Sequence, residues 1–267
     1  MAEQVGRTLI VSDLHLRGPS DPNQHRFLRF IESRIASCPQ ATLVIAGDLV
    51  DFWFAVDSDV PAPYRQVVSR LEALPRVYWI EGNHDVGLSR ALGGRRGGLR
   101  FLDKTLQLSC GPWLLSVAHG DHVERSDRGH QLLRSVMRSR LARGLARGLG
   151  ADRTLRLGQR ITNSRSSGSM DSRTPSLRWL HAARGEAQSM PPGDVSSLLV
   201  LGHGHHLGWW PEGLICLGDW LHFHSYLEVD PDLPRPRLRR FQTDSDEDPV
   251  LADGPVGDAR PDPGSIS

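Results

Sequence analysis

The sequence predicts an α/β fold built on a parallel sheet. Three short apolar runs, Arg7 to Val11, Ala41 to Ala46 and Arg76 to Ile80, have the length of buried strands. Between them, Asn23 to Ser37 and Pro63 to Leu74 carry apolar residues at helical spacing. Strands that alternate with helices in this way are typical of a parallel sheet that helices cover.

The composition fits a soluble folded domain with a sizeable core. The chain has 267 residues, of which 39% are hydrophobic and 24% charged, which excludes a wholly disordered chain. Its 32 Lys and Arg nearly balance 31 Asp and Glu, so the molecule as a whole is not predicted to bind polyanions. Cys38, Cys110 and Cys216 lie far apart in sequence, which predicts no disulfide and a reducing compartment. With no visible signal peptide or membrane-spanning run, we expect a cytoplasmic protein.

The later part of the chain predicts a hairpin, a helical insert and a second group of strands. The hairpin joins Leu106 to Ser109 with Trp113 to Ala118, and Gln131 to Leu149 predicts a helix inside an insert at about 125–190. The strands that follow are Ser197 to Leu201, Leu214 to Leu217, Phe223 to Val229 and Arg237 to Phe241. We therefore expect one domain over 1–243, followed by a disordered acidic tail over 244–267 that is rich in Asp, Pro and Gly.

Polar residues follow five of these strands at the positions where each strand ends. In an open α/β sheet the carboxyl ends of the strands line the crevice where ligands bind, so these side chains should converge. They supply carboxylate, amide and imidazole groups together, a mixture that suits manganese, iron or zinc better than calcium. The residues are Asp13, His15, Asp48, Asn83, His84, His119, His203 and His205.

The order of these motifs resembles that of the calcineurin-like metallophosphoesterases. The resemblance rests on Asp13-x-His15, Gly47-Asp48, Gly82-Asn83-His84-Asp85, His119 and Gly202-His203-x-His205. It implies a four-layer α/β/β/α sandwich, with the helical insert as a lid, and a two-metal site that hydrolyses phosphoric esters. It also implies that Asp13, His15 and His205 hold one ion, that Asn83, His119 and His203 hold the other, and that Asp48 bridges them. Manganese is the expected metal, with iron and zinc as alternatives.

The same resemblance assigns catalytic roles to Asp48, through the bridge, and to His84. His84 would protonate the leaving group or contact the phosphate, and Asp85 is expected to orient the His84 imidazole. The alternative for any one of these residues is structural, because Asp and His at strand ends also cap helices or lie on loops. His206, His222 and His224 lie near the motif histidines in sequence, and we expect them to lie on the surface or to pack in the core.

Two features of the sequence resemble those of one branch of this family, whose members cleave the diphosphate of UDP-2,3-diacylglucosamine in lipid A synthesis. They are the insert between the fourth and fifth motifs and the run Leu217-Gly218-Asp219-Trp220. The likeness implies a glycolipid substrate, with a lipid sugar phosphate and UMP as products. It further implies that the substrate contacts Asn83, His84, Asp127, Asn163 and Ser164.

Two other functions stay open. The common form of that branch has Arg after the motif Asn, where this chain has His84. A general phosphodiesterase or phosphomonoesterase of nucleotides or nucleic acid is therefore the first alternative. A non-catalytic scaffold is the second alternative, although an intact set of metal ligands disfavours it.

The insert predicts contact with a membrane. Its apolar stripe carries Leu133, Met137, Leu141 and Leu145, and the arginines around it are Arg134, Arg138, Arg143 and Arg147. Basic amphipathic helices lie on anionic bilayers, and Arg pairs with phosphate groups, so we expect peripheral binding to the cytoplasmic face of the inner membrane. The alternative is a helix packed on its own domain. Nucleic acid is a weaker candidate partner, since this helix has no aromatic residues for base stacking.

Overall fold

Two β-sheets pack face to face, and helices cover their outer faces. The structure is a computed structural model that describes residues 2–123, 140–166, 176–190, 196–255 and 257–258. The strands are β1 (Glu3–Gln4), β2 (Thr8–Val11), β3 (Thr42–Ala46), β4 (Trp53–Phe54), β5 (Val77–Ile80), β6 (Asp85–Val86), β7 (Arg95–Arg96), β8 (Leu99–Leu102), β9 (Leu106–Cys110), β10 (Trp113–Ala118), β11 (Ser196–Leu201), β12 (Leu207–Trp209), β13 (Leu214–Leu217), β14 (Ser225–Val229), β15 (Arg237–Arg240), β16 (Val250–Ala252) and β17 (Gly257–Asp258). The α-helices are α1 (Pro22–Phe30), α2 (Arg65–Glu72), α3 (Leu88–Ala91), α4 (Arg140–Leu149), α5 (Ala151–Ser166) and α6 (Leu177–Gln188).

The larger sheet has the order β16-β15-β14-β2-β3-β5-β8-β7, and the smaller has the order β1-β9-β10-β11-β13-β12-β17. Strands β2, β3, β5 and β8 are parallel, with Ile10 opposite Val44 and Val44 opposite Tyr78. In the other sheet β10 and β11 are also parallel. The predicted parallel core is therefore confirmed, and so is the hairpin, because β9 and β10 pair antiparallel.

Apolar side chains fill the three spaces between the four layers. Ile10 and Val44 meet Leu115 and Val200 between the sheets. Helices α1 and α2 cover the larger sheet through a cluster that includes Phe27. Helix α6 covers the smaller sheet, where Trp179, Ala183 and Ala187 pack against Leu201 and Cys216. The four layers therefore form the predicted α/β/β/α sandwich. Full burial of one such large apolar side chain stabilises a fold by ~1.5–3 kcal/mol.

Helix α1 begins where the sequence provides a cap. The Asp21 side chain accepts a hydrogen bond from the main-chain N–H of Asn23, and Pro22 occupies the first turn. Both features favour a helix start, since proline needs no hydrogen-bond acceptor there. The helix continues through Ile31–Ala36 as a π-helix, so the segment ends close to the predicted Ser37.

The prediction of a disordered tail from 244 is wrong as far as Asp258. Strand β16 pairs with β15, and β17 pairs with β12. Asp248 is buried, and its two carboxylate oxygens accept hydrogen bonds of 2.8 and 3.0 Å from the Arg34 guanidinium. Composition alone does not distinguish Asp248 from the other acidic residues of this segment, because its partner Arg34 lies in a distant part of the sequence. Residues 259–267 lie outside the described residues.

The insert is helical where the structure describes it. Helices α4 and α5 meet at Gly150, whose φ of 79° favours glycine. The first part of the helix predicted over Gln131 to Leu149 lies outside the described residues, as do Leu133 and Met137 of its apolar stripe. Among the described helices, none has both the length and the apolar character needed to cross a bilayer.

Candidate metal centre

The five motifs converge at the carboxyl edges of the two sheets. Two hydrogen bonds join the sheets there: the main-chain N–H of His203 donates to Asp13 Oδ2 (2.9 Å), and His119 Nδ1 lies 2.9 Å from the main-chain carbonyl oxygen of Ala46. Since that oxygen can only accept, His119 Nδ1 is the donor. The motifs of the larger sheet and those of the smaller sheet therefore form one site.

The backbone of this site is unusual. Six described residues other than glycine have a positive φ, a conformation that costs of order 1–3 kcal/mol for each residue. The sixth is His224, and the other five are motif residues: Asp13 (54°), His15 (47°), Asp48 (53°), His203 (57°) and His205 (51°). Such conformations persist only where the surrounding structure holds them, and they cluster at functional sites.

Motif glycines allow the site residues to approach one another. A Cβ atom on Gly47 would overlap the His119 imidazole, and one on Gly202 would overlap the side chains of Ser12 and Asp13. Glycine is the one residue that leaves this space open. The Gly-Asp and Gly-His pairs of the sequence are therefore a requirement of packing at the site.

One half of the site, which we call the Asp13 half, consists of Asp13, His15 and His205. His205 Nε2 lies 3.4 Å from Asp13 Oδ1, and His15 Nε2 lies 4.0 Å from the same oxygen. Within the described part of the chain, Asp13 Oδ1 is buried and accepts no hydrogen bond. A buried carboxylate oxygen in that state costs free energy unless a cation compensates it.

The other half, which we call the Asn83 half, consists of Asn83, His119 and His203. His119 Nε2 lies 2.9 Å from Asn83 Oδ1, and the rings of His119 and His203 have centroids 5.0 Å apart. Asp48 connects the two halves, because its Oδ2 lies 3.9 Å from His15 Nε2 and 3.4 Å from His119 Nε2.

The residues fit divalent metal ions. Three groups each bring their ligand atoms within 4.8 Å of one another: Asp13, His15 and His205; His15, Asp48 and His84; and Asp13, Asp48 and His119. The orphaned Asp13 Oδ1 is a second, independent sign, since it faces two imidazoles and has no other partner in the described structure. Carboxylate, amide and imidazole donors suit transition metals.

Burial and neighbouring charges set the protonation of the ligands. Burial, together with the nearby His84, lowers the pKa of His15 to about 4, and burial with His119 lowers that of His203 to about 3. Both imidazoles are thus neutral at pH 7, the form that binds metals.

Two other groups of the centre are held in their charged forms. Burial alone would raise the pKa of Asp48, but His119 and His84 hold it well below its usual range. Burial would lower the pKa of His205, yet the carboxylates of Asp13 and Asp219, each 3.4 Å from the ring, raise it to about 10. A metal ion would displace this proton.

His84 lies at the edge of the centre with one ring nitrogen fixed. Its Nδ1 is 2.6 Å from the main-chain carbonyl oxygen of Asp51, so Nδ1 donates and Nε2 is left for other contacts. Its main-chain N–H donates to Asp48 Oδ1 (2.9 Å), and its ring meets that of His15 edge-on, with centroids 4.7 Å apart.

The expectation that Asp85 orients the His84 imidazole is wrong. The Asp85 carboxylate is buried and accepts hydrogen bonds from the main-chain N–H groups of Leu49 (2.8 Å) and Gly82 (2.6 Å) and from Trp79 Nε1 (2.9 Å). It therefore stabilises the loops that carry the motifs. The main-chain carbonyl of Asp51 takes the role that the sequence suggested for Asp85, and no residue-type pattern could have revealed a backbone acceptor.

Asp219 belongs to the surroundings of the centre, although the sequence patterns indicated no site role for it. Its carboxylate lies between His205 Nδ1 (3.4 Å) and His222 Nδ1 (2.8 Å). His222, expected to lie on the surface or to pack in the core, is about half exposed and contacts this carboxylate. A signal was present in the sequence, because Gly218-Asp219 follows a strand just as Gly47-Asp48 does.

The predicted substrate residues of the insert remain predictions. Asp127 lies outside the described residues, and Asn163 and Ser164 fall in α5. The insert packs against the segment that follows β4: Arg147 Nε donates to the main-chain oxygen of Val56 (2.9 Å), and the Asp152 carboxylate accepts from the Ala62 N–H (3.1 Å).

A cavity of about 290 Å³ lies between the insert and the core. Phe54, Val56 and Val86 form its apolar wall, and Arg90 and Arg147 contribute guanidinium groups. The same wall packs against the buried Ala146 of α4. Val86 is two residues after His84, so the cavity begins next to the motif that carries the candidate catalytic histidine.

The chain is similar to several known proteins. Residues 6–216 match the model of the calcineurin-like phosphoesterases. A UDP-2,3-diacylglucosamine hydrolase of Stutzerimonas stutzeri (strain A1501) is 26% identical over 238 residues, which cover 83% of this chain and 94% of the relative. One of Aeromonas salmonicida (strain A449) is 27% identical over 237 residues, covering 84% and 90%. Among solved structures, Yfce, a phosphoesterase from E. coli, is 16% identical with a TM-score of 0.46, covering 92% of this chain and 97% of that one.

Proposed function

We propose a substrate from the premise that the chain belongs to the calcineurin-like phosphoesterase family, whose model matches residues 6–216. Membership makes the protein a metal-binding hydrolase of phosphoric ester or diphosphate bonds. The proposed substrate is UDP-2,3-diacylglucosamine, which would be cleaved to UMP and a lipid sugar phosphate. The observation that carries this proposal is the cavity between the insert and the core, since it combines an apolar wall with two guanidinium groups and its lining includes Val86, two residues after His84.

The proposed ligands are the residues that meet in the two halves of the centre. Asp13, His15 and His205 would hold one ion, Asn83, His119 and His203 would hold the other, and Asp48 would contact both. When bound, two divalent ions supply the positive charge that polarises a phosphoryl group and stabilises the attacking and leaving oxygens. Manganese is the proposed metal, with iron and zinc as alternatives.

His84 has the geometry of a group that contacts the reacting phosphate. The Asp51 carbonyl holds its Nδ1, so Nε2 is available to bind a phosphate oxygen or to give a proton to the leaving oxygen. In the proposed reaction water attacks the phosphorus nearer uridine. The bond from that phosphorus to the bridging oxygen breaks, and the lipid sugar phosphate leaves with this oxygen.

The cavity is proposed to hold part of an acyl chain. Phe54, Val56 and Val86 offer the apolar surface, and each CH₂ group that is buried contributes ~0.8 kcal/mol. Arg90 and Arg147 line the same cavity and offer guanidinium groups, which pair well with phosphate oxygens. Asp127, Asn163 and Ser164 of the insert remain proposed substrate contacts.

We also propose that the insert binds an anionic membrane, the source of such a glycolipid. Four of the five large apolar side chains that are exposed in the described structure lie on α4, α5 and α6: Leu145, Leu149, Leu157 and Leu177. Arg147, Arg153, Arg156 and Arg178 lie on the same helices. Exposed leucines among arginines are typical of helices that lie on bilayers.

A general phosphodiesterase is the second candidate, and His84 favours it. The branch of the family that acts on the glycolipid commonly carries Arg at this position. This chain has His84, the generic residue of the wider family, which keeps activity on other phosphodiesters open.

The two candidates are separated by three substrates assayed side by side with added Mn²⁺. These are UDP-2,3-diacylglucosamine, a soluble nucleoside phosphodiester and an aryl phosphomonoester. The proposal expects the glycolipid to have the highest kcat/KM and, in ¹⁸O-labelled water, expects the label in UMP. A higher kcat/KM for the soluble diester, or label in the lipid sugar phosphate, would contradict it.

A further inference from the structure

The carboxylate of Asp219 faces His205 from the side opposite the centre. Asp219 Oδ2 lies 3.4 Å from His205 Nδ1, while His205 Nε2 lies 3.4 Å from Asp13 Oδ1. We propose that Asp219 is a positioning residue that holds the His205 imidazole in the tautomer and orientation a metal ligand needs. The inference rests on the proposed role of His205 as a ligand.

Hydrogen bonds hold the Asp219 carboxylate in place from its other side. Its Oδ1 accepts from the main-chain N–H of His222 (2.7 Å) and lies 2.8 Å from His222 Nδ1. With Oδ1 occupied, Oδ2 is left to face His205. Asp219 is only 4% exposed, so water screens this contact little.

The tautomer of His205 follows from the chemistry of the contact. An ionised carboxylate can only accept, so His205 Nδ1 must carry the hydrogen. The main-chain N–H of His222 donates to Asp219 Oδ1 (2.7 Å), a contact that favours the ionised carboxylate. His205 Nε2 then presents its lone pair toward Asp13 once a metal displaces its proton. Carboxylates that hold ligating histidines in this way raise the basicity of the ligand.

The loop that carries Asp219 is tied to a second ligand of the same half. The main-chain N–H of Trp220 donates to the main-chain oxygen of Asp13 (3.1 Å). The loop therefore supports both Asp13 and His205. In the Asn83 half the corresponding partner of His119 Nδ1 is the main-chain oxygen of Ala46, which no side-chain substitution removes. Loss of the Asp219 charge should therefore weaken one half of the centre selectively.

The test is a Mn²⁺ titration of the metal-free full-length protein. Wild type should bind two ions, and Asp219→Asn should bind one of them roughly 10–100-fold more weakly while the other is retained. Asp230→Asn is the matched control, because it makes the same chemical change on a carboxylate whose ion-pair partner, at 3.9 Å, is Arg7. Equal weakening of both ions, or wild-type affinity for both, would overturn the inference.

A double-substitution cycle separates this inference from the assignment of the ligands. If Asp219 acts through His205, adding Asp219→Asn to His205→Ala should change metal binding little beyond His205→Ala alone. A further loss of similar size would overturn the positioning role. If His205→Ala itself retains both ions, the assignment of His205 as a metal ligand is wrong, and the inference about Asp219 is wrong with it.

A measurement on the wild-type protein keeps the inference testable if Asp219→Asn does not fold. Long-range ¹H–¹⁵N NMR of the zinc-loaded protein reports which ring nitrogen of each histidine carries hydrogen. The His205 ring should carry hydrogen on Nδ1 with Nε2 bound to metal. Hydrogen on Nε2 would overturn the inference.

Discussion

The metal-centre edge and the helical insert differ in how the fold holds them. At the centre, main-chain strain, buried carboxylates and motif glycines fix each ligand residue. Helices α4 and α5 of the insert contact the core through the buried side chains of Ala146 and Leu155 and through single hydrogen bonds from Arg147 and to Asp152, while Leu145 is 72% exposed. On the proposed function, the centre would perform the chemistry and α4 and α5 would help to select the substrate.

The largest effect is expected at Asp48, which contacts both halves of the centre. Asp48→Asn removes the only charge shared by the two proposed ions, so hydrolysis of every substrate should fall by roughly 10²–10³-fold or more. Initial rates on the glycolipid and on a soluble diester, each with added Mn²⁺, measure the loss. If one substrate kept its wild-type rate, the two substrates would not be hydrolysed at the same centre.

A methyl group on Gly202 should damage the centre from within. It would overlap Ser12 and Asp13, so Gly202→Ala should destabilise the protein by ~1–3 kcal/mol and weaken metal binding. Gly185→Ala is the control, because a Cβ there meets no atom within 4 Å. Thermal unfolding and metal titration compare the two variants. The expected role of Gly202 is wrong if Gly202→Ala has the same stability and metal affinity as Gly185→Ala.

A charge placed between the insert and the core should affect the two substrates differently. Ala146→Glu disturbs the wall of the cavity, and losing two or three buried CH₂ groups at ~0.8 kcal/mol each should lower kcat/KM for the glycolipid about 10–50-fold. The rate on a soluble diester should stay near wild type.

Gly148→Glu is the matched control for this substitution. It adds the same charge to the same helix, at a position where a Cβ meets no atom within 4 Å. Equal losses on both substrates for Ala146→Glu would mean that the insert is only structural.

Metal binding should release protons at neutral pH. His205, with a pKa of about 10, and His119, with a pKa well above its usual value, bind protons in the metal-free protein. Below that pKa, each proton displaced makes the apparent affinity rise about tenfold per pH unit. Calorimetric titration with Mn²⁺ in buffers of different ionisation enthalpy counts the protons. Affinity that is independent of pH between 6 and 8 would rule out these two histidines as ligands.

The smallest effect is expected at the exposed leucines. Replacing Leu145 and Leu157 with Glu should weaken binding to vesicles that contain anionic lipid by several-fold for each leucine, since each loses ~1 kcal/mol or more of apolar contact. Val250→Glu is the control, an exposed apolar side chain outside the insert. Sedimentation with anionic and with neutral vesicles measures binding. Unchanged binding to anionic vesicles would contradict the proposal that the insert binds a membrane.

The sequence predicts the centre better than its surroundings, and the reason is physical. Strands such as β3 are buried along their whole length, so apolar runs reveal them, and the ligand residues follow these runs directly. Partners of the ligands come from elsewhere: the Asp51 carbonyl that holds His84 is a backbone atom, and Asp219 reaches His205 through the fold. Likewise, the burial of Asp248 depends on Arg34, which no local pattern connects to it.

The most direct test of the division between centre and insert compares two substrates that differ only in their acyl chains. UDP-2,3-diacylglucosamine and UDP-N-acetylglucosamine, which keeps the amide but lacks the long chains, present the same diphosphate to the same centre. The account predicts that kcat/KM of the wild-type protein is at least about 10²-fold higher for the acylated substrate, since burial of a few CH₂ groups at ~0.8 kcal/mol each supplies that factor. Equal values for the two substrates would contradict it.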